Sequence, residues 1–165
     1  MALELPKALH IDHVLDGVYI SGWQATQFAD YLRQAGIVNV LKLYGEFPRH
    51  FPPDFNTLDL PITDADLLNH ETLERGLDFI RSHVQSNQPV LIMCARGVNR
   101  SATFVLAYLV SRGYALPDAF RLLRERHNQA TPHPILWESL IRYFNLNYTV
   151  DDALVWMRRD ERGSP

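Results

Sequence analysis

The 165 residues contain one cysteine, Cys94. Within "MCARGVNRSA" it is followed by Gly97, Arg100 and Ser101. The apolar run "PVLIM" leads into it, and a second, nearly unbroken apolar run begins just after Ser101. A strand that enters a loop opening a helix gathers backbone N–H groups around one point, and the helix dipole favours negative charge there. Gly97 lets the backbone curl with no Cβ in the way. The amides of residues 95–100 can then form a nest for an anion. Arg100 adds a planar, two-pronged grip that suits phosphate. Cys94 lies at the base of the same ring, where the field that binds an anion also favours a thiolate. A thiolate beside a bound phosphate is placed to attack phosphorus, and the Ser101 hydroxyl can hydrogen-bond the sulfur as it departs. Taken alone, an intracellular cysteine is by default a small buried apolar residue. The conjunction of Cys, Gly, Arg and Ser at a strand–loop–helix junction sets this one apart.

The flanking sequence supplies that junction. "VLIM" reads as a strand buried on both faces of a parallel sheet, and residues 100–112 as a central buried helix ended by Gly113. Residues 14–21 read as a strand or hairpin turning at Asp16-Gly17, and residues 24–35 as a short helix closed by Gly36. "IVNVLKLY" and "TLDLPI" read as strands separated by a proline-rich loop. Residues 69–86 carry Leu73, Leu77, Ile80 and Val84 at helical spacing. Further helices follow at residues 117–128, with Pro117 at its start, at 135–146 and at 151–159. The last has Thr149 near its cap, acids first and arginines last, in keeping with the helix dipole. This alternation predicts an α/β domain with a mostly parallel central sheet flanked by helices. In such sheets ligands bind outside the carboxyl ends of the strands, where the 94–100 loop falls. The expected organisation is a lead-in over residues 1–9, one domain over 10–148, and a C-terminal helix and tail over 149–165.

Composition bounds the alternatives. At 165 residues the chain has length for one domain with a sizeable core, and its formal net charge is −3. That charge gives no field for nucleic acid or an anionic membrane, so neither is an expected partner. A single cysteine fits a reducing compartment. The N-terminus shows no signal-peptide pattern and no apolar run is long enough to span a bilayer, so a cytoplasmic location is expected.

Here the sequence resembles a known family. "MCARGVNRSA" is similar to the H-C-x-x-G-x-x-R-[ST] signature of the cysteine-dependent protein phosphatases, in the dual-specificity branch. "VLDGVYISG", "LPITD" and "FVLAYLVSRGYALPDAFRLLRERH" resemble further segments of that branch, so the likeness runs over roughly residues 10–146. It implies a protein-tyrosine-phosphatase-like fold and hydrolysis of phosphotyrosine, with phosphoserine and phosphothreonine, through a cysteinyl-phosphate. Carried onto this chain, it makes Cys94 the nucleophile, Arg100 the phosphate clamp, Asp64 the general acid and Ser101 the hydroxyl facing the sulfur. Ala95, Arg96, Gly97, Val98, Asn99 and Arg100 would cradle the phosphoryl oxygens. No metal and no cofactor are implied. The expected partner is a phosphorylated protein or peptide, and the expected state is a monomer or weak homodimer.

Several points are open on the sequence. Asp64 lies 30 positions (94 − 64) before Cys94, close to the family spacing, and Asp66 is its rival. Asp59 falls within a strand and is disfavoured. Met93 stands where the family usually has histidine, which predicts weaker activation of the thiol. Arg96 either draws multiply anionic substrates or faces solvent. His133 either buttresses the site or is exposed, and His127 reads as a surface or packing group. With no second cysteine to pair with, an oxidised Cys94 is expected to form a sulfenamide or a glutathione adduct, or to over-oxidise. The competing functions are an RNA 5′-phosphatase, a phosphoinositide phosphatase, and a non-catalytic phosphate-binding module.

Overall fold

A five-stranded sheet in the order β1-β2-β5-β3-β4 organises the computed structural model, which describes residues 5–163. Its strands are β1 (Asp12–Leu15), β2 (Val18–Ser21), β3 (Asn39–Lys42), β4 (Asn56–Asp59) and β5 (Val90–Met93). β1 and β2 form an antiparallel hairpin through Asp16-Gly17, and every other pairing is parallel. β5 lies between β2 and β3, with Ile92 opposite Ile20 on one side and Leu41 on the other. All four of its residues are buried, which is why the segment reads as an unbroken apolar run.

The two faces of the sheet are covered unequally. Tyr19, Val40, Leu91 and Met93 point to one side, where Leu32 of α1 (Ala29–Gln34) and a short helical turn at Trp23–Phe28 cover them. Val18, Ile20, Leu41, Val90 and Ile92 point to the other, beneath α2 (His70–Gln85), α3 (Arg100–Ser111), α4 (Leu116–Arg126), α5 (Pro134–Tyr143) and α6 (Val150–Gly163). α3 is the hub of this layer: every residue from Arg100 to Leu109 is buried, as its all-round apolar character requires. It packs on β2 and β5 and against α2, α4 and α5.

Local signals set most of the boundaries. The Asn69 side chain accepts from Thr72 N at 2.7 Å and caps α2. Thr149 and Asp152 exchange reciprocal bonds of 2.9 and 3.2 Å that start α6. β4 ends at Asp59; beyond it Leu60 N donates to Lys42 O at 2.9 Å and Ile62 N, past Pro61, to Leu43 O at 3.2 Å. α5 stops at Tyr143, not at residue 146, because Asn145 takes a left-handed conformation (φ 51°) and turns the chain. The helix expected over 24–35 is split. Its first half is a tight turn, tethered by Trp23 N donating to Ala95 O at 3.1 Å, and only the second half is α-helical. α6 buries Ala153 and Met157 against its own domain, and Trp156 meets Trp137 edge-on at 6.0 Å. Residues 1–4 of the expected lead-in, and residues 164 and 165 of the tail, lie outside the described residues.

α2 and α3 approach at Gly76, where an added Cβ would stand 2.3 Å from Phe104 Cε1. Alanine would gain up to about 1 kcal/mol in helix propensity. Overpacking against a buried ring costs roughly 1–3 kcal/mol, so crowding wins. Urea denaturation of Gly76→Ala is expected to show a lower midpoint than wild type; a raised midpoint would refute the close approach.

Candidate active site

Residues 94–99 join the end of β5 to the start of α3, and their peptide planes are set from outside. Ala95 O accepts from Trp23 N at 3.1 Å and Val98 O from Thr131 N at 2.6 Å. Gly97 O lies 2.6 Å from His127 Nε2. In a trans peptide the C=O and the following N–H point opposite ways. Three carbonyls turned outward therefore turn the amides of Arg96, Val98 and Asn99 toward the concave side of the loop. Cys94 is buried at its base, with Gly97 N donating to Sγ at 3.2 Å and Ser101 Oγ 3.1 Å away. Gly97 adopts φ 74°, and a Cβ there would fall 2.7 Å from Gly22 N and 2.8 Å from Ser21 C. Only glycine meets both demands.

Arg100, 1% exposed, opens α3 beneath this ring. Its Nη1 donates to Ile62 O at 2.9 Å and Glu46 Oε1 at 3.0 Å, with Leu43 O at 3.4 Å. Nη2 donates to Glu46 Oε2 at 2.8 Å. Glu46 thus grips the Nη1–Nη2 edge in two-pronged fashion and leaves the Nε–Nη2 edge over. Nε lies 3.0 Å from Asp64 Oδ1, but off its N–H direction, and has no hydrogen-bond partner among the described residues. Hydrogen bonding from Arg100 holds the Glu46 carboxyl down at about 2. Burial opposes the charge on Arg100, yet the bond to Glu46 and the charges of Asp64 and Cys94 leave its pKa raised.

The structure separates the three aspartates. Asp59, on β4, pairs with buried Lys42 at 3.2 Å. Asp66 receives the Thr63 hydroxyl at 2.5 Å. Asp64 alone of the three reaches the ring: besides Arg100, it accepts from Asn99 Nδ2 at 2.9 Å on its carbonyl and 3.2 Å on its carboxylate. Beyond it, Leu68 N donates to the buried Ser139 Oγ at 2.9 Å and anchors this acidic loop to α5. Asn99 joins the two loops to a third, because its Oδ1 accepts from His133 N at 2.7 Å. The exposed His133 ring caps α5 by accepting from Ile135 N at 3.1 Å. Met93 is buried on the face of the sheet opposite to Cys94, and Arg96 is exposed.

Two residues of this constellation were not legible as such in the sequence. Glu46 stands in the proline-rich loop after β3, and its only signal is that this loop leaves a strand at its carboxyl end. His127 reads as a surface or packing group but is 1% exposed, with Nδ1 2.6 Å from Asp12 Oδ2 and Nε2 on the Gly97 carbonyl. A histidine joined to a strand 115 positions away and to the loop at once gives no local pattern.

Comparison with known proteins bears on this geometry. The model of the dual specificity phosphatase catalytic domain matches residues 18–146. Dual specificity protein phosphatase 1B of Arabidopsis thaliana is 29% identical over 128 residues, 75% of each chain. Dual specificity protein phosphatase PHS1 of the same plant is 32% identical over 126 residues, 73% of this chain and 14% of its own length. Tyrosine-protein phosphatase yvh1 of Schizosaccharomyces pombe is 28% identical over 152 residues, 90% of this chain and 46% of its own. The chain thus spans less than half the length of two of these three relatives. The crystal structure of human DUSP28 shares the fold, with a TM-score of 0.75 at 23% identity, over 87% of this chain and 96% of that one.

The Glu46–Arg100 pair makes stability depend on pH. The folded Glu46 carboxyl lies at about 2, below its ordinary value of 4.5. Its contribution is therefore complete above the ordinary value and is lost as pH falls from there toward the folded one. In urea denaturation, wild type should exceed Glu46→Gln by a constant margin near neutral pH. The margin should narrow below about pH 4.5. A margin unchanged at pH 3 would contradict the pairing.

Proposed function

The chain belongs to the dual-specificity phosphatase family, and we propose that it hydrolyses phosphotyrosine, and phosphoserine and phosphothreonine, in protein substrates through a phosphoryl group carried on Cys94. The observation that supports this most is the unused edge of Arg100. A buried guanidinium with one edge locked by Glu46 and the other without an aligned partner offers a fork of the right shape for two phosphate oxygens.

The steps follow from the placement of the groups. The dianionic phosphate enters the ring, displacing the Asp64 carboxylate from Arg100 Nε. The Arg96, Val98 and Asn99 amides and the free Arg100 edge hold its non-bridging oxygens as charge develops on them. Released from the guanidinium, Asp64 takes a proton from solvent; Cys94 Sγ then attacks phosphorus, the bond to the leaving oxygen breaks, and Asp64 gives that oxygen the proton. Water then attacks the cysteinyl-phosphate while Asp64 takes up a proton. The sulfur departs as a thiolate held by Ser101 Oγ and Gly97 N, and inorganic phosphate is released. The charge is met by a guanidinium and amides, so the step as drawn calls on no metal. Thr63 bonding to Asp66 and the proximity of Asp64 to Arg100 favour Asp64 as the acid. No helix among the described residues is long and apolar enough to cross a membrane. A free cysteine as nucleophile suits a reducing compartment, and we place the protein in the cytoplasm.

Hydrolysis of p-nitrophenyl phosphate without added metal tests the reading. Cys94→Ser is expected to abolish turnover. Asp64→Asn should slow it about 10²–10⁴-fold, the usual worth of a general acid, and Asp66→Asn should leave it within a few-fold of wild type. A large loss in Asp66→Asn alone would reassign the acid. An inactive wild type at every pH would reduce the loop to a binding site.

A further inference from the structure

Residues 63–67, which carry the acid, run over the surface with every residue exposed, and the Asp64 side chain is 63% exposed. Packing alone does not fix such a segment. Beneath its far end lies a cavity of about 140 Å³, lined by Leu67, Leu68, Leu73, Ser139 and Tyr143 among others. Apolar contact under the loop is therefore incomplete. Among the described residues, the hydrogen bonds and ion pairs that leave residues 63–68 run to two places. One is the junction of the 94–99 loop with α3, where Asn99 and Arg100 meet Asp64. The other is Ser139 of α5, whose Oγ accepts from Leu68 N at 2.9 Å across 71 positions of chain.

Ser139 is suited to hold that amide. It is buried, and its hydroxyl donates to Ile135 O at 2.9 Å one turn back along the helix. That bond directs the proton away and leaves the oxygen as an acceptor for Leu68. The helix beneath it is rigidly seated, with Leu136, Trp137 and Leu140 fully buried. In the reaction drawn above, Asp64 leaves Arg100 as phosphate enters and then serves the leaving oxygen. The Arg100 contact is lost at that moment, while the one at Leu68 persists. We propose, on the basis of the phosphatase reading above, that Ser139 is a positioning residue for the general acid. It pins the acidic loop at Leu68 and confines the movement of Asp64 to residues 64–67, so that the carboxyl stays within reach of the leaving oxygen. Misplacing a catalytic group by about 1 Å can cost about 10²-fold in rate.

The test separates proton donation from the rest of the reaction. Phenyl phosphate needs a proton on its leaving oxygen; 2,4-dinitrophenyl phosphate, whose phenolate leaves unaided, does not. Ser139→Ala is expected to lower kcat on the first about tenfold and to leave the second within about twofold. Added to Asp64→Asn, it should cost nothing further on phenyl phosphate, because a residue that acts only through Asp64 has no effect once the acid is gone. Ser139→Thr keeps the oxygen, has the cavity beside it for the added methyl, and should restore most of the rate. An equal loss on both esters, in a variant with the circular dichroism of wild type, would overturn the proposal. So would a loss that persists in the Asp64→Asn background, or a Ser139→Ala rate on phenyl phosphate equal to wild type. Should Ser139→Ala not fold, amide hydrogen exchange on wild type decides: the Leu68 amide is expected to be protected while those of residues 64–67 exchange freely, and a Leu68 amide exchanging at their rate would contradict the tether. Asp64→Asn slowing neither ester would sink the assignment of the acid itself, and the positioning role with it.

Discussion

Arg100 has five N–H donors and almost no contact with water, so the protein around it is arranged to supply acceptors. Those acceptors come from Leu43 just past β3, from the following loop at Glu46, and from Ile62 beyond β4. Two stretches of chain, 38 to 57 positions before it, are drawn to the first residue of one helix. The carboxylate of Glu46 keeps the guanidinium in one orientation, and that orientation decides which edge is offered to a ligand. An arginine held only by solvent would sample many rotamers and lose that side-chain entropy on binding.

A second constraint acts on the loop backbone. Amides that converge on a ligand need carbonyls that point away, and each outward carbonyl needs a donor. Trp23 supplies one from the turn after β2, and His127 and Thr131 supply the others from the segment between α4 and α5. The parallel sheet makes this convergence achievable, because β2, β5 and β3 all end on the same side. The same logic explains Gly97, whose left-handed turn lets its N–H face the sulfur while its carbonyl faces His127. Asn99 carries the constraint outward, since one side chain joins the 94–99 loop to Asp64 and to the start of α5. Movement of the acidic loop is therefore felt at the ring through a pair of hydrogen bonds.

Much of this was legible in the sequence where a signal was local. The run "VLIM" and the apolar helix after Arg100 announced the central strand and its hub, since a segment buried on every side has nowhere to place polar groups. The spacing from Cys94 to Ser101 marked the ring, because one loop supplies the thiol, the hydroxyl and the arginine. Asn69 and Thr149 marked two helix starts. What stayed hidden depended on contacts across the fold. Glu46 looked like one acid in an irregular loop, and His127 like one polar residue at a helix end. The segment after Ser21 had helical composition, but its tether to Ala95 tightened the first half into a different turn. Asp64 and Asp66 differ by two positions, and the contacts that tell them apart, Thr63 with Asp66 and Asn99 and Arg100 with Asp64, all depend on the fold.

The central claim is that phosphorus passes to the Cys94 sulfur while Arg100 and the loop amides hold its oxygens. Acid quenching during turnover of a phosphate ester, followed by mass spectrometry of the peptide that carries Cys94, tests it most directly. The account predicts a phosphoryl group on that cysteine, present during turnover and gone once substrate is exhausted. Sustained turnover with Cys94 unmodified at every quench time would mean that water attacks phosphorus directly, and would contradict it.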